Sequence, residues 1–128
     1  MPKKVLIIDD DIDLVEAMRL ILEGAGFDVI DAQDGQKGIE KIKNEDPDLV
    51  LLDVMMGTQD EGFHVAYQIR QDAHFADLPI IMLTAVGQET GFSFNKDKDE
   101  DFLPVNEFIE KPINPDTLIE VVKTNLGQ

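Results

Sequence analysis

The sequence contains no cysteine among its 128 residues. Without cysteine the chain forms no disulfide and no thiolate metal site, so a packed hydrophobic core must stabilise it. Hydrophobic residues make up 43% of the chain, which is typical of a soluble globular protein, and the length fits one ordinary domain. We therefore expect a single domain over residues 1–128.

Basic residues are also scarce. Lysine and arginine number 11 against 27 aspartates and glutamates, and the formal charge is −16. A surface this acidic repels nucleic acid phosphates at long range, so we expect no direct nucleic acid binding by this chain. A bound cation or a basic protein partner fits the sign of the charge.

Long hydrophobic runs are missing as well. No apolar segment reaches the length that crosses a membrane. The N-terminal "MPKK" leads directly into a predicted strand, without the apolar region of a signal peptide. These observations predict a cytoplasmic protein that does not associate with a membrane.

Five short segments have the composition of β-strands. Three of them are continuously apolar, which is typical of strands covered on both faces of a parallel sheet. The other two are more polar and fit positions nearer the edges. The apolar segments are "KVLII" (4–8), "DLVLL" (48–52) and "PIIML" (79–83), and the polar ones are "FDVID" (27–31) and "NEFIE" (106–110).

Helical patterns lie between the strands. The first places Leu14, Val15, Met18, Ile21 and Leu22 on one face and stops at two glycines. Asp34 is the predicted N-cap of the second helix, and Asn114, followed by Pro115, that of the last. A further helix is predicted over 63–71. The alternation of strand and helix, repeated five times, predicts a parallel sheet with helices on both faces.

Residues 87–104 fit this scheme least well. They should contain the fourth predicted helix, but they include two glycines and the charged run "KDKDED" (96–101). We expect a short or irregular helix there. Two interpretations stay open: a solvated insertion, or a partner surface built around Phe92, Phe94 and Phe102.

Chemically reactive or charged residues lie at the carboxyl ends of four of the predicted strands. Asp9 and Asp10 follow the first strand, Asp53 the third, Thr84 the fourth and Lys111 the fifth. Ligands bind beyond the carboxyl ends of the strands in open α/β sheets, so these side chains should meet at one edge. The sequence therefore predicts a site with three carboxylates, a hydroxyl and an ammonium.

This set of groups favours a hard cation and a tetrahedral anion. Carboxylates packed together raise one another's pKa values unless a cation neutralises them, and Mg²⁺ prefers carboxylate, water and phosphate oxygens. An aspartate beside such a site can act as a nucleophile and form an acyl phosphate. Each residue has an ordinary interpretation alone, as a helix cap, a turn or a surface charge. Suitable residues at four strand ends together favour the site.

The sequence resembles the receiver domains of two-component response regulators over essentially its whole length. The motifs that carry the resemblance are "IIDDD", "DLVLLDVMM", "IIMLTA" and "FIEKP". The resemblance implies a flavodoxin-like, doubly wound (βα)5 fold with a five-stranded parallel sheet in the order 2-1-3-4-5. In this chain the region of the fourth helix would be atypical.

The resemblance assigns roles to particular residues. It implies that Asp53 is the phosphoacceptor, and that Asp9, Asp10, Asp53 and the backbone carbonyl of Met55 bind Mg²⁺, with Mn²⁺ as a substitute. Asp11 is not a ligand in this scheme and starts the first helix.

The remaining roles concern the response to phosphorylation. The resemblance implies that Thr84 and Lys111 contact the phosphoryl oxygens, and that Thr84 moves together with Phe108, the switch aromatic. The Lys111–Pro112 bond is a candidate for the cis form. Met55 and Val86 occupy positions that tune the lifetime of the phosphoform in relatives, and because both are apolar we expect slow self-dephosphorylation.

The function implied is a phosphoacceptor switch, not an independent enzyme. Its partners would be a sensor histidine kinase or a histidine phosphotransfer protein, and an unidentified output protein. The chain would be a monomer or a phosphorylation-dependent homodimer. Three alternatives stay open: a receiver excised from a larger DNA-binding or enzymatic regulator, a Mg²⁺-dependent phosphatase with an aspartate nucleophile, and a non-phosphorylated binding module.

Overall fold

The computed structural model describes residues 2–53, 61–85 and 105–127. We number the helices in the order in which these residues form them, so that the C-terminal helix is α4. The elements are β1 (Lys4–Ile8), α1 (Ile12–Gly24), β2 (Asp28–Ala32), α2 (Gly35–Glu45), β3 (Leu49–Asp53), α3 (Glu61–Arg70), a 3-10 helix (Ala73–Phe75), β4 (Ile80–Ala85), β5 (Glu107–Lys111) and α4 (Pro115–Asn125).

The five strands form one parallel sheet in the order β2-β1-β3-β4-β5. The predicted fold class and strand order are therefore confirmed. The two more polar strands, β2 and β5, lie at the edges, as their composition indicated. The predicted helix within 87–104 and its three phenylalanines lie outside the described residues.

The two faces of the sheet carry separate hydrophobic cores, because successive side chains of a strand point to opposite faces. On one face Leu6 and Ile8 pack with residues of α2, α3 and the 3-10 helix. On the other face Val5 and Ile7 pack with residues of α1 and α4. The central strands are thus buried on both faces, which explains their continuously apolar sequences.

Side chains cap the helices where the sequence predicted caps. Asp11, Asp34 and Asn114 each accept a hydrogen bond from a backbone N–H in the first turn of α1, α2 and α4, respectively. Beyond α1, Gly26 has a φ of +98°, a left-handed conformation that glycine adopts without strain. None of the helices in the described ranges is long and apolar enough to cross a membrane.

The strands β2 to β5 lie further toward the C-terminus than the sequence segments predicted. Each of them ends one or two residues later. Asp53 is the last residue of β3, Lys111 is the last residue of β5, and β4 continues through Thr84 to Ala85. The bonds between strands join backbone groups, so pairing continues past the point where the side chains become polar. The predicted position of Lys111 just after its strand was therefore wrong by one residue. The third helix also begins earlier than predicted, at Glu61.

Candidate functional site

The carboxyl ends of β1 and β3 bring two acidic side chains to the same edge of the sheet. Asp9 directly follows β1, and Asp53 ends β3. Asp9 and Asp53 are also the only buried charged residues in the described part of the chain, with exposures of 0% and 5%. Burying two carboxylates costs free energy that apolar residues at these positions would not, which points to a function for the pair.

Local backbone contacts hold Asp9 in place. Its N–H donates to the carbonyl of Ala32 at the end of β2, at 3.1 Å. Its Oδ1 atom accepts a hydrogen bond from the backbone N–H of Asp11 at 2.9 Å. The sequence did not predict the Ala32 contact, although the pairing of β1 with β2 implies it once the register is known.

The second oxygen of Asp9 has no hydrogen-bond partner among the described residues, although it is buried. It lies 3.4 Å from Nζ of Lys111, a separation that makes an ion pair rather than a hydrogen bond. A buried carboxylate oxygen without a hydrogen bond is costly unless another group satisfies it. This oxygen is therefore available to a ligand.

Lys111 joins the two buried carboxylates. Its Nζ atom lies 3.4 Å from Oδ2 of Asp9 and 3.4 Å from Oδ1 of Asp53. Because β4 separates β5 from β3 in the sheet, the lysine side chain reaches across the end of β4 to make the second contact. About a quarter of the lysine side chain remains exposed. One cation thus partly neutralises two carboxylates.

Asp10 completes the acidic cluster from the solvent side. One ligand atom from each of Asp9, Asp10 and Asp53 lies within 4.8 Å of the other two. Asp10 is exposed, whereas the other two are buried. The cluster is therefore closed to solvent at Asp9 and Asp53 and open to solvent at Asp10.

Burial raises the pKa of Asp9 to about 6, from an ordinary value of 3.8. The neighbouring charge of Asp53 also raises it, while the N–H of Asp11 and the ammonium of Lys111 lower it. One lysine is thus insufficient to offset the loss of hydration. A second cation at the cluster would favour the ionised form.

A comparison with known protein families assigns residues 5–123 to the response regulator receiver domain. The chain belongs to this family. The match spans nearly the whole chain, as the motif-based resemblance indicated. The domain is a component of two-component regulatory systems, whose response regulators act as phosphoacceptor switches.

Two transcriptional regulators are among the relatives of this receiver domain. The alkaline phosphatase synthesis transcriptional regulatory protein PhoP of Bacillus subtilis is 37% identical over 122 residues, which is 90% of this chain and 45% of PhoP. The DNA-binding dual master transcriptional regulator RpaA of Synechocystis is 37% identical over 98% of this chain and 49% of RpaA. The receiver domain thus spans about half the length of these relatives.

A crystal structure from Chloroflexus aurantiacus, of a protein assigned as a response regulator, has the same fold. It superposes on this receiver domain with a TM-score of 0.86 and 32% sequence identity, and the match covers 100% of both chains.

The acidic cluster of the receiver domain fits a divalent cation. It offers three carboxylates from three different positions, and one of them carries the buried oxygen without a hydrogen bond. Carboxylate oxygens at this spacing, with one side open for water, are the donors that Mg²⁺ prefers. Among the described residues, this is the only group of three or more acidic, histidine or cysteine side chains close enough to hold an ion.

Thr84 and Phe108 lie on the neighbouring strands β4 and β5 of the receiver domain. Phe108 is the register partner of Met82, and Thr84 follows Met82 by two residues in β4. Side chains two apart in a strand share a face, so Thr84 and Phe108 lie on the same face of the sheet. Both are partly buried. The structure thus places a hydroxyl and an aromatic ring on one face of the sheet, two register positions apart.

Three of the predictions concern the Lys111–Pro112 bond and the positions Met55 and Val86. The Lys111–Pro112 bond is cis. Met55 and Val86, with the proposed carbonyl ligand of Met55, lie outside the described residues.

Proposed function

We propose that this receiver domain accepts a phosphoryl group on Asp53 in a Mg²⁺-dependent reaction and then signals to a protein partner by changing conformation. The donor would be a phosphohistidine of a sensor histidine kinase or a histidine phosphotransfer protein. The observation that carries the proposal is the position of the Asp53 carboxylate, 3.4 Å from the Lys111 ammonium and inside a cluster of three acids. This arrangement combines a carboxylate nucleophile with a lysine and a cation-binding cluster, which would neutralise an incoming phosphoryl anion.

The transfer would proceed in line. A carboxylate oxygen of Asp53 forms a bond to phosphorus while the phosphorus–nitrogen bond of the phosphohistidine breaks, and the electron pair of that bond stays on the imidazole ring. Little covalent chemistry is required of the protein, which acts by positioning and by neutralising charge. Lys111 would exchange its contact with Asp53 for one with a phosphoryl oxygen, and the Thr84 hydroxyl would donate a hydrogen bond to another phosphoryl oxygen.

Asp9, Asp10 and Asp53 would bind the metal, together with the backbone carbonyl of Met55. A bound Mg²⁺ supplies a positive charge that offsets repulsion between the carboxylates and the phosphoryl oxygens. Mn²⁺ has similar oxygen preferences and would serve as a substitute.

We further propose that residues 1–128 act as one receiver domain whose phosphoform is long-lived. Phosphorylation adds negative charge at the edge of the sheet and would bias the positions of Thr84 and Phe108. The chain covers all of the Chloroflexus chain but about half of the two transcriptional regulators. The second observation favours an alternative, in which this receiver domain regulates a DNA-binding domain on the same polypeptide.

Incubation with acetyl phosphate and Mg²⁺, followed by intact-mass measurement, tests the proposal. We expect the addition of one phosphoryl group, lost on chelation of the metal and in Asp53→Asn. Asp11→Asn is the matched control, because it also neutralises an acid beside the site but keeps a residue that caps helices well. Asp11→Asn should be phosphorylated like the unmodified chain.

Two results would contradict the proposal. One is a folded chain that gains no phosphoryl group under these conditions. The other is an adduct that persists in Asp53→Asn, since the phosphoryl group would then lie on another residue.

A further inference from the structure

Helix α2 approaches β1 unusually closely at Gly38. A Cβ atom built on Gly38 would lie 2.4 Å from Cδ1 of Ile8, 2.9 Å from its Cγ1 and 3.2 Å from its Cγ2. Carbon atoms in van der Waals contact lie about 3.5–4.0 Å apart. The space that a side chain of residue 38 would occupy is therefore filled by Ile8.

The helix itself does not require glycine at this position. Gly38 has no positive φ, and its N–H already donates to the carbonyl of Asp34 at 2.9 Å, as in a regular helix. Glycine inside a helix costs about 0.5–1 kcal/mol relative to alanine. The contact with Ile8 gives a reason for accepting this cost.

Ile8 has little freedom to move away. Its side chain is fully buried, and its backbone pairs with Ala32 of β2 on one side and Leu52 of β3 on the other. The next residue is Asp9, whose N–H donates to Ala32. A displacement of Ile8 would therefore be transmitted directly to the buried carboxylate.

We infer that Gly38 is a positioning residue for the acidic cluster. By letting α2 pack directly on Ile8, it fixes the end of β1 and so the distance of the Asp9 carboxylate from Asp53 and Lys111. The inference rests on the proposed function only where Mg²⁺ serves as the probe of the cluster.

The test is Gly38→Ala, with Mg²⁺ affinity measured by isothermal titration calorimetry. We expect a loss of about tenfold, the lower end of what groups behind metal ligands contribute. The double variant Ile8→Val/Gly38→Ala removes Cδ1, the atom nearest to the new methyl group, but keeps both Cγ atoms. It should therefore recover part of the lost affinity. Such recovery is a coupling that independent destabilisation does not produce.

Two controls separate positioning from general stability. Gly24→Ala makes the same change at the end of α1, where the added Cβ would meet nothing within 4 Å, and should leave Mg²⁺ affinity unchanged. Ile42→Val removes a buried methylene one turn further along α2, in the same core, and should lower stability but not affinity. Equal losses in Ile42→Val and Gly38→Ala would overturn the inference.

A second measurement does not depend on metal binding. In metal-free solution, the NMR amide resonance of Asp9 should shift in Gly38→Ala, move part of the way back in the double variant and stay in place in Gly24→Ala. If the unmodified chain binds no Mg²⁺, the proposed metal dependence fails, and this resonance still decides the role of Gly38. If Gly38→Ala does not fold, Ile8→Val alone should weaken Mg²⁺ binding by opening a gap beside Gly38. The double variant, whose added methyl group fills this gap, should then bind Mg²⁺ more tightly than Ile8→Val. Equal affinities of these two variants would overturn the inference.

Discussion

At the scale of single residues, the three consecutive aspartates have different environments. Asp9 is fully buried, Asp10 is exposed, and Asp11 caps α1. The repulsion that their sequence suggests is therefore concentrated on Asp9 and its neighbour Asp53. Burial raises the pKa of Asp9, and the charge of Asp53 adds to this effect, so the ionised form of Asp9 is disfavoured without a further cation.

The raised pKa predicts how stability depends on pH in metal-free solution. Well below pH 3.8 Asp9 is protonated in both the folded and the unfolded chain. As pH rises from 3.8 towards about 6, the unfolded chain ionises first, so the contribution of this group to stability is lost over that range. Asp9→Asn should therefore raise the free energy of unfolding at pH 8 by roughly 2 kcal/mol.

Urea denaturation with a chelator present, at pH 4 and pH 8, measures this difference. The gain should be much smaller at pH 4, where the native carboxyl group is already neutral. An equal effect of Asp9→Asn at both pH values would contradict the assignment of the raised pKa to Asp9.

At the scale of elements, the sequence indicated the starts of the helices more precisely than the ends of the strands. The caps of α1, α2 and α4 are all side chains that the sequence predicted or implied, because an N-cap acts within three residues of itself. Strand ends were less predictable, since backbone pairing continues into polar residues such as Asp53 and Lys111.

Substitutions of the adjacent residues Asp10 and Asp11 should affect different properties, Mg²⁺ affinity and stability respectively. Asp11 accepts a hydrogen bond from the N–H of Leu14 at 3.2 Å, so Asp11→Ala should lower the free energy of unfolding by about 1 kcal/mol. Mg²⁺ affinity should stay nearly intact in this variant. Asp10→Ala should do the opposite, abolishing Mg²⁺ binding at little cost in stability, because Asp10 is exposed and belongs to the acidic cluster.

Thermal denaturation and calorimetric titration of the two variants check both halves of this prediction. Loss of Mg²⁺ binding in Asp11→Ala would assign the metal to a different pair of carboxylates.

At the scale of the whole molecule, the site is assembled from segments that are distant in the chain. Lys111 meets Asp9 and Asp53 only because parallel pairing brings the carboxyl ends of β1, β3 and β5 to the same end of one sheet. The proposed phosphorylation of Asp53 would therefore act where the ends of several strands meet.

The lifetime of the phosphorylated molecule is the property that the sequence predicts at this scale. Met55 and Val86 are apolar, so neither side chain can orient a water molecule for attack on the acyl phosphate. We expect the phosphoform, isolated in the presence of Mg²⁺, to decay over minutes or longer rather than seconds. A time course of intact mass measures the decay, and Met55→Asn, which introduces an amide, should accelerate it. Loss of the phosphoryl group within seconds would refute the prediction.

Much of the fold could be predicted from the sequence, because the patterns that indicate strands and helices are local or periodic. Continuous apolar runs indicated the buried strands, the helical period indicated the faces of the helices, and the polar strands were found at the edges. The candidate site was predictable to the extent that parallel strands bring their carboxyl ends together. The contact of Gly38 with Ile8 was not, because it depends on the distance between a helix and the sheet.

The sequence by itself determined the order of the elements, the caps and the identity of the groups at the strand ends, since each depends on neighbours in the chain. The tertiary structure decided which of three adjacent aspartates is buried and where Lys111 lies between two carboxylates. It also decided how closely α2 approaches β1. These properties depend on burial and on distances of a few ångströms, which only the packing of distant segments determines.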